Sequence, residues 1–172
     1  CVICLLIVTW TVSGCKWQSR NTTEIIEQAQ RQALAGNMQW STHRSGGFKL
    51  TVAARLAPNI NRIHVYIEGD GRAWDTRSRL SSDPTPDNAV ALALAVKDPH
   101  PSVVYIARPC QYLDAGDLAT CAPKYWSSHR FATEVLVAFN ALLDEVTKAG
   151  VSMTPVRLGL VGYSGGGTLA AF

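Results

Sequence analysis

The run Gly162-Tyr163-Ser164-Gly165-Gly166 constrains this chain more than any other feature. It has the form G-x-S-x-G, the pattern of a serine on a very tight strand-to-helix turn, a nucleophile elbow. Such a turn projects the hydroxyl clear of the backbone. It forces strained dihedrals and brings strand and helix close together, so the flanking positions must be glycine. The N–H of the next residue, Gly165, then faces the place where an oxyanion would form. Before the turn, Val156 to Val161 is a short apolar run after Pro155 and suits a buried strand. After it, Gly167 to Phe172 is a small-residue start to a helix. The plainer alternative is a Gly-rich turn with an incidental serine.

Composition narrows the class. The 172 residues allow one domain with a real core. Apolar residues make up 47% and charged ones 17%, which excludes a disordered chain. The net charge of +3 is too weak and too dispersed to argue for nucleic acid as a partner. No Walker or dinucleotide glycine motif is present, since Gly162 to Gly167 lacks a lysine for phosphate, so no cofactor is expected. His43, His64, His100 and His129 are scattered and no pair has metal-ligand spacing, so no metal site is expected and each histidine reads as structural.

The element pattern alternates. Thr23 to Leu34 reads as a helix capped by Thr22 or Thr23. Met38 to Thr42 and Phe48 to Leu56 read as an antiparallel hairpin, the second strand half-buried because Phe48, Leu50, Val52 and Ala54 alternate. Arg62 to Ile67 is the third strand. It runs into the loop Glu68-Gly69-Asp70-Gly71-Arg72-Ala73-Trp74. Asn88 to Lys97 is an apolar helix, Ser102 to Ala107 a strand, and Ser128 to Lys148 a long helix with one apolar face. The strand into the elbow comes last. This order predicts an α/β fold, a mainly parallel sheet with helices on both faces.

From Met38 to Phe172 the chain resembles the α/β-hydrolase fold. The Gly-rich loop after the third strand and the elbow after the fifth stand where that family has them, at the carboxyl ends of parallel strands. The resemblance implies Ser164 as nucleophile. It implies an oxyanion hole made by the backbone N–H of Gly165 and a second N–H from the loop after the third strand, here Asp70 or Gly71. Glu68-Gly69 stands where the family commonly has His-Gly, which leaves that second donor open by one residue. The family order is Ser, then Asp or Glu, then His. All four histidines precede Ser164, so the acid and the histidine are expected beyond residue 172, and residues 38–172 read as the N-terminal part of the domain.

The N-terminus carries its own signal. Cys1 to Gly14 has no charge, and Val2 to Val8 is continuously apolar. That is too short for a bilayer span and fits the core of a secretory signal, incomplete at its start. Val12-Ser13-Gly14-Cys15 resembles a bacterial lipobox. The resemblance implies a diacylated Cys15 at the mature N-terminus, with residues 15–37 forming a tether and first helix. An ordinary signal peptide or a buried strand is the alternative. The localisation implied is the bacterial cell envelope, lipid-anchored in a membrane. Lys16 favours the outer membrane, because an Asp there would favour retention in the inner one. Cys110 and Cys121 remain, and an even remainder in an exported protein points to a disulfide. Two cysteines without a nearby histidine make a poor zinc site.

The remaining expectations concern the pocket. Glu68 and Asp70 could be paired acid-base carboxylates, but a tight Gly-rich loop explains them more simply as structural. Arg72 and Trp74 sit just past the loop and either line the substrate mouth or pack on the surface. Arg108, Gln111 and Tyr112, on a loop held by the cysteine pair, and Trp126 and His129 could form its walls. The function expected is an exported serine hydrolase acting on a small-molecule or lipid ester. The alternative is a non-catalytic envelope lipoprotein using the same fold for binding, or a scaffold in which the elbow is only a turn.

Overall fold

The computed structural model describes residues 21–58, 60–149 and 155–172. The signal segment, Cys15 and most of the tether lie outside the described residues. The element order is α1 (Thr22–Ala35), β1 (Gln39–Ser45), β2 (Phe48–Arg55), β3 (Arg62–Ile67), α2 (Val90–Lys97), β4 (Val103–Ile106), α3 (Ala115–Ala119), α4 (Thr133–Ala149), β5 (Arg157–Gly162) and α5 (Gly165–Ala171).

The five strands form one sheet in the order β1-β2-β4-β3-β5. β3 pairs in parallel with β4 and β5, and β2 pairs antiparallel with β1 and β4. β2 therefore runs against the other four strands, which makes the sheet mainly parallel. The β1–β2 hairpin turns on Gly46 and Gly47, at φ 53° and 85°. Two successive residues at positive φ make the turn that matches strand twist, and glycine adopts it without strain.

Helices cover both faces, as the alternating pattern predicts. On one face α4 sets Val135, Phe139 and Leu142 against Leu50, Val65, Ile67 and Ile106. On the other, α1 and α2 set Ala29, Ala33, Leu92 and Ala95 against Ala53, Val103 and Tyr105. β2 is consequently buried on both faces rather than on one. Thr51 and Ala53 are as inaccessible as Leu50. Burying an alanine or valine side chain removes apolar surface at about 25 cal/mol per Å², and the small residues of α1 and α2 let those helices approach closely.

Several boundaries differ from expectation for identifiable reasons. Asn21 caps α1, accepting from Thr23 N. α2 starts at Val90, not Asn88, and its cap residue Ala89 offers no side-chain bond. α4 starts at Thr133, because the Arg130 carbonyl is taken by the Arg108 guanidinium at 2.5 Å and residues 127–131 form a turn instead. The short α3, inside the cysteine loop, was not anticipated; Asp114 caps it through Asp117 N at 2.8 Å. β5 is the outer strand among the described residues, so it is not buried as expected: Leu160 is 40% exposed.

Candidate functional site

Three chain segments meet at the carboxyl ends of β3 and β5: the loop after β3, the elbow after β5, and the stretch from Pro86 into the start of α2. Ser164 stands at the elbow with φ 49° and ψ −120°, between the end of β5 and the start of α5. That is a costly conformation for a residue with a Cβ, and it persists only where the surroundings enforce it. Here glycines enforce it. A Cβ on Gly162 would lie 2.2 Å from the Gly166 carbonyl, and one on Gly166 would lie 2.3 Å from the Ile67 carbonyl. Strand and helix pack backbone on backbone, and the serine is left exposed at the tip.

Ser164 and Tyr163 line a cavity of about 460 Å³ together with Glu68 to Arg72, Trp74, residues 86–88 and Val90. Arg72 and Trp74 stand on this cavity. Arg72 is also paired with Asp75 at 3.0 Å. Among the described residues no hydrogen bond takes up the N–H of Asp70, Gly71 or Gly165. The N–H of Gly69 is taken by the Glu68 carboxylate at 2.9 Å.

Glu68 is buried and acts as a structural cap. Its carboxylate also accepts from Ala91 N at 3.2 Å, supplying the N-terminus of α2 with the acceptor that Ala89 cannot provide. Burial pushes its carboxyl above the usual range, and the donors at Gly69 and Ala91 push back. Asp70 is held differently. Its Oδ1 accepts from Arg108 Nη1 at 2.9 Å, and Arg130 Nε lies 3.5 Å from its Oδ2. Its carboxylate rests against Gly165, where a Cβ would fall 2.2 Å from Oδ1.

Arg108, Gln111 and Tyr112 do not form a wall of this cavity. They lie behind it. Gln111 is buried, and its Nε2 donates to the Gly69 carbonyl at 3.0 Å. Cys110 and Tyr112 have φ 71° and 56°, so this segment is itself under strain. The disulfide Cys110–Cys121 joins it to the end of α3. Trp126 is buried, with its Nε1 donating to the Ser81 carbonyl at 3.1 Å, and it lines a separate groove of about 1070 Å³ beside α1. His129 bonds Ser128 on the surface.

No histidine lines the Ser164 cavity. His43 bonds Glu145 at 3.0 Å, and His64 bonds Asp98 at 2.7 Å with His100 stacked on it. Among the described residues no group of three or more His, Cys, Asp or Glu could hold a metal ion. The supporting roles of Arg108, Gln111 and Glu68 were missed in the sequence. A usable signal was present for Arg108: an arginine directly after a buried strand, with an aspartate in the loop after the strand's parallel neighbour.

No protein-family model matches the chain, and no curated protein matches it. Among solved structures, one described as "Crystal Structure Hormone-Sensitive Lipase from a Metagenome Library" is similar over 88% of this chain and 50% of that one, at 13% identity and a TM-score of 0.38. The chain thus spans about half the length of that structure. A likeness this slight carries no argument about activity.

Proposed function

We propose that the chain belongs to a serine hydrolase of the α/β-hydrolase kind acting on ester-type bonds. The observation that carries the reading is the backbone of Ser164 at φ 49° and ψ −120°, an exposed polar residue strained at the tip of a strand-to-helix turn. The Ser164 hydroxyl attacks the ester carbonyl, losing its proton to a base and forming a C–O bond. The carbonyl oxygen becomes an oxyanion, to which the N–H groups of Gly165 and Asp70 donate; the open N–H groups there support this assignment, with Gly71 the alternative to Asp70. The intermediate collapses and the alcohol leaves with a proton. Water then releases the acyl group.

A serine hydroxyl is a weak nucleophile without a base. No histidine lines the cavity, so this reading requires a histidine and its orienting acid from outside residues 1–172. The second reading is a non-catalytic binding lipoprotein on this fold. A fluorophosphonate probe on the full gene product separates them. Label on Ser164, lost in Ser164→Ala together with esterase turnover, supports the hydrolase. A probe that leaves Ser164 untouched supports the binding protein. Lipid anchoring at Cys15 in a bacterial envelope rests on the lipobox resemblance, and abolished acyl labelling in Cys15→Ala is its test.

A further inference from the structure

A buried charge cluster stands behind the elbow, built from Arg108, Arg130 and Asp70. Arg108 follows β4 and its side chain is only 4% exposed. Its Nη1 donates to Asp70 and its Nη2 to the Arg130 carbonyl. The Phe131 ring lies 5.1 Å from the Arg108 guanidinium and 5.0 Å from that of Arg130, so one ring holds both cations in place. Burying such a group is expensive, and an apolar replacement is often at least as stable. Stability alone is therefore a poor reason for it.

Geometry supplies a better one. The Asp70 carboxylate fills the space where Gly165 would carry a Cβ. It thus bridges the two segments whose N–H groups form the oxyanion site in the reading above. A bare carboxylate there would repel a developing negative charge. Two guanidiniums face it. We propose that Arg108, aided by Arg130, is a positioning residue that holds Asp70 against Gly165 and cancels its charge, so that the loop and the elbow present their N–H groups to an oxyanion. The proposal rests on the serine-hydrolase reading.

The test uses the full gene product, p-nitrophenyl acetate turnover and fluorophosphonate labelling, with folding followed by circular dichroism. Arg108→Met should lower kcat by about 10- to 100-fold, less than the roughly 100- to 1000-fold that outright loss of an oxyanion donor costs, because the donors are displaced and not removed. KM should stay within about threefold, because the loss falls on the transition state. Adding Asp70→Asn to Arg108→Met should recover roughly fivefold or more, since it removes the uncompensated charge. A purely structural arginine would give no such rescue. If Arg108→Met does not fold, Arg130→Gln, at a half-exposed site, should show a smaller fall in kcat with the same rescue. Unchanged kcat, an effect confined to KM, or no rescue by Asp70→Asn overturns the proposal and leaves a labelled Ser164 standing. A parent protein with neither label nor turnover overturns both.

Discussion

Gly162 and Gly166 meet with no space between them: a Cβ on Gly162 would stand 2.2 Å from the Gly166 carbonyl. The obstructing atoms are backbone, so no side chain can swing aside. Gly162→Ala should therefore cost about 1–3 kcal/mol or more, the range for forced overpacking. Gly167→Ala is the control, because its nearest neighbour would be the Gly162 carbonyl at 3.3 Å. It should change stability by less than about 1 kcal/mol, helped by the helix preference of alanine. Urea midpoints measure both. Equal midpoints would mean that the elbow is looser than this packing.

Glu68 should make stability depend on pH. Burial raises its carboxyl in the folded chain, so the folded state binds more protons than the unfolded one. Stability must then decline as pH rises from the ordinary carboxylate range through the raised folded value. Glu68→Gln keeps an acceptor for Gly69 and Ala91 and removes the titration. Its stability relative to the parent should grow from roughly pH 4 upward. Parallel urea-midpoint curves for the two proteins would sink the idea.

The disulfide should stabilise the fold. Cys110 and Cys121 close a loop with a separation of 11 residues. On the chain-entropy account that is worth about 3 kcal/mol. The double variant Cys110→Ser, Cys121→Ser should lose stability of that order in thermal unfolding. Intact mass before and after reduction should differ by two hydrogens when the protein is made in an oxidising compartment. Two free thiols in that protein would contradict the bond.

The sheet was legible in the sequence because each strand announced itself by apolar alternation or by a bounded apolar run, and Gly162 to Gly166 located the elbow. The cysteine pair was legible by count. The long-range partners were not. Arg108 and Asp70, 38 residues apart, come together only through the parallel pairing of β3 and β4, which local periodicity does not report. Nothing near Ala89 says that Glu68, on another element, will cap α2. The start of α4 was misplaced for the same reason: a tertiary bond to the Arg130 carbonyl overrode the local preference of Ser128 to open a helix. Alternation along Phe48 to Leu56 predicts a half-buried β2 because it reports side-chain polarity and not what packs on each face.

The strain at Ser164 gives a prediction about stability that separates serine from its neighbours. At φ 49° and ψ −120° any residue with a Cβ is strained, whether or not it carries a hydroxyl. Such positions cost on the order of 1–3 kcal/mol. Ser164→Ala keeps the Cβ and therefore keeps the strain, so its urea midpoint should stay close to the parent. Ser164→Gly relieves the strain at the expense of extra freedom in the unfolded chain, worth about 0.5–1 kcal/mol. The balance should leave Ser164→Gly more stable than the parent by about 1 kcal/mol, while both variants lose any label at this site. A residue that destabilises its own fold is a reason to look for what it does there. If Ser164→Gly and Ser164→Ala have the same midpoint, the backbone at the elbow is not strained, and the principal support for a nucleophile at this position is gone.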